Sequence, residues 1–128
     1  MTIDLDHTIV PARNRDASAK RLADLLGVPW GPAAVGPFAG VYINEGTTLD
    51  FIQADEPFPV YHFCFRVGPE EFAAILGRLE AARIEFRSQV RGPTDRKVDP
   101  TYGNVYWNEP EGHMWEILTV SYARNPSP

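Results

Sequence analysis

Twice along this chain a short extended segment is followed by a run of helical period, and then by further extended segments joined by turns. The first round opens with IDLDHTIV, short and β-branched, which reads as a strand. Asn14 or Asp16 then caps a helix through ASAKRLADLL, whose Ala19, Leu22, Leu25 and Leu26 fall on one face and which Gly27 stops. VPWGPAAVGPFAG holds too much proline and glycine for a helix and admits at most one irregular edge strand. GVYIN and TTLDFIQ, parted by Glu45 and Gly46, predict a hairpin. After the linker ADEPFPV the order returns. YHFCFRV alternates as a strand does, Gly68-Pro69 opens a helix, and Phe72, Ile75, Leu76 and Leu79 mark its apolar face. IEFRS reads as a short strand, a polar loop runs over 90–101, and NVYWN and HMWEILTV predict a last hairpin around EPEG. SYARNPSP reads as a frayed tail.

Two βαβββ units in tandem follow, with no residue-level identity between them. The predicted modules are residues 1–55 and 56–122, together one domain, with 123–128 as a flexible tail. A chain of 128 residues has room for one compact domain or two small modules sharing a core. Its 44% hydrophobic and 23% charged residues are ordinary for a globular protein. A net charge of −5 without blocks of like charge argues against nucleic acid as a partner. The only cysteine is Cys64, so neither an internal disulfide nor a cysteine-built zinc site is available. The acidic start MTIDLDHTIV lacks the basic flank of a signal peptide, and no apolar run approaches the roughly 20 residues of a membrane span. A soluble cytoplasmic protein is the expectation.

Residues three apart share a face on a helix but point to opposite faces on a strand. His113 and Glu116 therefore cannot both line one site if HMWEILTV is a strand. Glu116 shares its side with Met114, Leu118 and Val120, a carboxylate in an apolar row, which needs a cation, a metal or a proton. His113 falls at the hairpin mouth, where a turn residue can reach solvent. On YHFCFRV, His62, Cys64 and Arg66 face away from Tyr61, Phe63, Phe65 and Val67. On the first strand His7 sides with Ile3, Leu5 and Ile9, and Asp50 sides with Thr48 and Ile52. Each module thus carries a histidine on its first strand and a carboxylate on its last: His7 with Asp50, His62 with Glu116. A two-fold pairing of the modules would bring these four to one centre. Two histidines with one or two carboxylates suit a divalent transition metal, Fe, Mn, Ni, Co or Zn. Taken singly, each histidine reads first as a satisfied core residue and only second as a ligand.

LDHTIVPARNRDASAKRLADLLGV, HFCFRV and GNVYWNEPEGHMWEIL together resemble the vicinal oxygen chelate superfamily, over about residues 3–122. That superfamily takes in glyoxalase I, extradiol dioxygenases, fosfomycin-resistance enzymes and bleomycin-binding proteins. The resemblance implies an α+β fold in which two paired βαβββ modules form a cupped mixed sheet with the metal inside. It implies metal ligands at His7, His62 and Glu116. Asp50 falls where glyoxalase-type members carry a glutamate, one methylene longer, so it would ligate directly, act through water, or orient a neighbour. Tyr106 falls at a position that faces substrate in related resistance enzymes. Glu116, Asp50 and Tyr106 are the catalytic candidates.

The chain also departs from particular members. Where fosfomycin enzymes carry basic and hydroxyl groups it offers Arg96 and Pro100. Arg13 and Arg66 could meet an acidic substrate, and only three histidines are present, fewer than extradiol dioxygenases use. Trp30, Phe38, Tyr42 and Trp107 are candidates to line a cup for a modest organic substrate, with core packing as the alternative. The expected function is a metal-dependent enzyme acting on a small oxygen-chelating substrate by lyase, isomerase or dioxygenase chemistry, in a homodimer. One rival is a metal-free antibiotic- or metabolite-binding protein. The His/Asp/His/Glu set counts against it, because antibiotic-binding relatives dispense with metal ligands. Another is an α+β domain whose histidines are structural only.

Overall fold

Asn14 sits in extended backbone and its side chain accepts from the Ala17 amide at 3.2 Å, which starts the first helix where the sequence places it. The computed structural model describes residues 2–88 and 103–124. Within them the chain divides into two units, Met1–Pro59 and Val60–Pro128. The architecture is α+β, each unit combining one long helix with one mixed sheet. Among the described residues no helix is long and apolar enough to cross a membrane.

The first unit runs β1 (His7–Ala12), α1 (Arg15–Leu26), β2 (Trp30–Pro32), β3 (Phe38–Tyr42) and β4 (Thr48–Gln53). Its sheet order is β1-β4-β3-β2, with β1 parallel to β4 and the other pairs antiparallel. Gly27, in the left-handed region at φ 75°, ends α1 by returning its amide to the Ala23 carbonyl. The prolines and glycines around β2 limit it to three residues at the sheet edge. Between β3 and β4 the Asn44 side chain accepts from the amides of Gly46 and Thr47, closing the turn expected at Glu45–Gly46. α1 packs on β3 and β4. Val10, Ala12, Ala39, Val41, Leu49 and Phe51 are buried on one parity of the strands, together with Ala19, Leu22, Ala23 and Leu25 of the helix. The other parity carries His7, Ile9 and Asp50.

The second unit runs β5 (His62–Arg66), α2 (Pro69–Ala81), β6 (Asn104–Asn108) and β7 (Met114–Leu118). Pro69 occupies the first turn of α2, and the Glu71 carboxylate accepts from the Gly68 amide at 3.1 Å. The sheet order β5-β7-β6 repeats β1-β4-β3, again with a parallel outer pair and an antiparallel hairpin. IEFRS does not form the predicted strand. Arg87 alone makes an antiparallel bridge to Tyr106, at the place relative to β6 that β2 holds relative to β3. The segment is consumed at its start by the exit from α2, where Arg83 takes φ 58° and the Ile84 amide returns to the Leu79 carbonyl. Trp107 stands opposite Trp115 and is buried with Val105, Ile117, Phe72, Ile75 and Leu79, so it belongs to the core and not to a pocket. Arg96, Pro100 and residues 125–128 of the expected tail lie outside the described residues.

Candidate functional site

Register fixes what faces what. In the first unit His7 stands opposite Thr48, and two residues on Ile9 stands opposite Asp50; in the second His62 stands opposite Met114 and Cys64 opposite Glu116. Asp50 is opposed on its other side by Gly40, and Glu116 by Tyr106. The two sheets therefore place a histidine and a carboxylate at matching positions, one pair per unit. Within either unit by itself, no three His, Cys, Asp or Glu side chains of the described residues gather into a metal-holding group.

Glu116 is the centre of the second unit's polar chemistry. It is 0% exposed, in the middle of β7. His62 Nε2 stands 3.0 Å from its Oε1, and the Tyr122 hydroxyl donates to the same oxygen at 2.8 Å. The Asn104 amide donates to Oε2 at 3.2 Å and to the Tyr106 hydroxyl at 3.0 Å. Three neighbouring groups are held in their neutral forms. Burial, followed by the charge of Glu116 and a hydrogen bond to it, pushes the Cys64 thiol up to about 12. Burial likewise raises the hydroxyls of Tyr106 and Tyr122, with Glu116 adding to both. Around one buried carboxylate the protein thus arranges protonated donors and an imidazole.

The imidazole of His62 is the informative member. Its Nδ1 lies 3.1 Å from the Met114 carbonyl and its Nε2 faces the Glu116 carboxylate, so both ring nitrogens look at oxygens that can only accept. A neutral imidazole has one N–H. The geometry calls for one more positive centre, which a proton shared between the ring and the carboxyl or a metal between Nε2 and Oε1 would supply. Two donors 3.0 Å apart fit adjacent corners of an ion with bonds of roughly 2.1 Å. Their side chains are 40% and 0% exposed, so one partner is open to solvent and the other fixed from behind.

In the first unit His7 is 58% exposed, and its Nδ1 pairs with Asp6 Oδ2 at 2.7 Å. That hydrogen bond, and then the charge of Asp6, raise its pKa above the ordinary imidazole value. A carboxylate on Nδ1 leaves Nε2 as the outward nitrogen, the arrangement found behind metal-bound histidines. His7, Asp50, Ile9, Phe38 and Tyr42 border a cleft of about 450 Å³. Where the second unit sets Cys64, Tyr106 and Asn104 about its carboxylate, the first sets Ile9, Gly40 and Phe38, so it is the more apolar half.

His113 does not reach solvent. It is 0% exposed and its Nδ1 accepts from the Tyr61 amide at 2.9 Å, while its ring stacks on Tyr61. The hairpin mouth is covered because β5 begins beside it, so His113 is a strand clamp and Glu116 faces elsewhere. Arg13 donates to the Asp55 carbonyl and lies over Phe58. Trp30 is half-buried in β2.

Two solved oxidases resemble the chain over nearly its whole length. Oxidase ChaP-H2 is 34% identical, covering 95% of this chain and 97% of its own, with a TM-score of 0.86. Oxidase ChaP-H1 is 36% identical, covering 94% and 98%, with a TM-score of 0.84. A glyoxalase/dioxygenase from Nostoc punctiforme, 21% identical over 92% of this chain and 91% of its own, shares the fold at a TM-score of 0.68. This chain belongs to the vicinal oxygen chelate superfamily. No family model and no curated protein matches it.

For a vicinal oxygen chelate protein, some of the site lay outside the sequence reading. Asn104 could have been found, since it shares a strand face with Tyr106 and so with Glu116. Tyr122 could not, because β7 ends at Leu118 and a bend carries the chain back to Glu116.

Proposed function

We propose that this protein is a metal-dependent enzyme acting on a small organic substrate through adjacent oxygens, with oxidative chemistry favoured over lyase or isomerase chemistry. What carries the reading is the cation-deficient His62–Glu116 pair, matched in register by His7 and Asp50 in the other unit. His7 and His62 would serve as neutral imidazole ligands and Glu116 as the anionic one. Asp50 would be a fourth ligand or a nearby base. Bound there, an Fe, Mn, Ni, Co or Zn ion would supply Lewis-acid polarisation of substrate oxygens and, if redox-active, access to dioxygen. The whole-length similarity to two proteins named as oxidases favours the latter. A relative of the same fold, a fosfomycin resistance protein from Listeria monocytogenes, was solved with Mn(II).

The chain's own groups define the rest. Tyr122 and Asn104 fix the two oxygens of Glu116, so the carboxylate meets an ion in one orientation. The Met114 carbonyl sets the His62 ring so that Nε2 points at Glu116. Tyr106, its ring centroid 6.2 Å from that of His62, keeps its proton and can donate to substrate. The protein is further proposed to act in the cytoplasm as a homodimer, on the resemblance that names its superfamily.

Elemental analysis of protein purified without chelator or affinity metal tests the reading. About one equivalent of transition metal is expected, lost in His62→Ala and Glu116→Gln. Protein that carries only traces, and takes up none of the five ions in calorimetry, sinks it. The metal-free binding protein would then be the better reading, since Glu116 already accepts from Tyr122 and Asn104.

A further inference from the structure

We infer that the second unit carries a subsite for an organic anion, a carboxylate or phenolate on a flat apolar body, held by Arg66 and Arg124 beside His62. The inference gives the substrate class of the site proposed above and rests on that reading for its role in turnover.

The subsite is a cleft of about 760 Å³, within the range of about 300–1,000 Å³ that small-molecule sites occupy. Strand alternation puts Arg66 on the face of β5 that carries His62 and Cys64. Arg124 reaches the same cleft from the turn after β7, the turn that Tyr122 ties to Glu116. Neither guanidinium has an ion-pair partner among the described residues. Among the described residues no carboxylate lines the cleft, and Glu116 behind it is fully buried with both oxygens engaged. Two guanidiniums without an ion pair among the described residues share one concavity on a chain of net charge −5. Guanidinium forks match the oxygens of a carboxylate in bidentate fashion, which a lysine pair would not. The body of the ligand meets Tyr122, whose side is 46% exposed, together with Leu118 and Ala123. An aromatic acid satisfies both requirements, and its charged oxygens would lie toward His62.

The test uses chelator-treated full-length protein, so it does not depend on metal. 2-Naphthoate and its uncharged isostere 2-naphthamide are titrated by NMR and fluorescence. Naphthoate should bind and naphthamide should not, with affinity falling as salt rises. Arg66→Gln and Arg124→Gln should each weaken naphthoate by about tenfold or more, Arg66→Lys less, and Arg21→Gln on α1 not at all. Melting curves establish that the variants fold. Equal binding of amide and acid, no binding of the acid at millimolar concentration, or an isotherm unmoved in Arg66→Gln and Arg124→Gln overturns the inference. Naphthoate binding by a protein that takes up no metal keeps the subsite and removes the enzymatic reading.

Discussion

A fully buried carboxylate survives in a fold only when its oxygens are satisfied, and each donor around Glu116 is therefore separately measurable. Tyr122→Phe removes one hydrogen bond to a charged group while keeping the ring. It should cost about 1.5–3 kcal/mol in urea unfolding of the metal-free protein. A cost indistinguishable from zero would show that the 2.8 Å contact contributes nothing. Cys64 reports on the same charge. Although exposed, its thiol is pushed up to about 12 by burial of the sulfur and by Glu116, so little thiolate exists at neutral pH. Alkylation by iodoacetamide in the metal-free protein should be slow at pH 8 and rise only as pH climbs towards 12. Glu116→Gln should bring that rise to lower pH. A rate profile centred on the ordinary thiol value of 9.0 would contradict the local electrostatics. At this scale the sequence was legible wherever parity ruled, as for His62, Cys64 and Glu116. It was illegible for Tyr122, since nothing in SYAR announces a chain that doubles back.

At the scale of elements, the EPEGH turn does two jobs that the sequence pattern separates only in part. Gly112, at φ 107° with Val60 Cγ1 2.8 Å from where a Cβ would stand, turns the chain tightly. His113 then clamps the start of β5: its ring accepts the Tyr61 amide, while the Met114 amide donates to the Tyr61 carbonyl. The clamp holds His62, the next residue, in register with Met114. His113→Ala leaves the part-buried Tyr61 amide unmet and a ring-sized void in the core, a loss of about 2–4 kcal/mol. Metal content should survive where the variant folds, whereas Glu116→Gln should lose metal even where it folds. A His113 variant that folds as well as wild type yet binds no metal would reverse the two assignments. Both long helices and both hairpins were legible because caps, prolines and period agreed. IEFRS was not, because its β-rich composition could not reveal that the exit from α2 uses up its first residues.

Over the whole molecule, the tandem order of elements was readable, and sheet order and register make the two units matching copies in topology while their side chains have diverged. The divergence concerns proton competition at the proposed ligands. His7 carries Asp6 on Nδ1, and that hydrogen bond, then the charge, raise its pKa above 6.5. A protonated imidazole cannot ligate, so metal binding through His7 would be strongest above the raised value and would decline as pH falls through it. Removing the carboxylate lowers that pKa, so Asp6→Asn should move the acid limb of metal binding to lower pH. At neutral pH the variant binds slightly more weakly, because the imidazole has lost a partner that strengthens its basicity. Mn(II) or Co(II) isotherms between about pH 5.5 and 7.5, with the His7 ring followed by NMR in the metal-free state, measure both effects. The decisive comparison is His7→Ala. If metal binding in that variant keeps wild-type affinity and the wild-type acid limb, His7 is no ligand, and the register match between the units is inherited topology without shared chemistry.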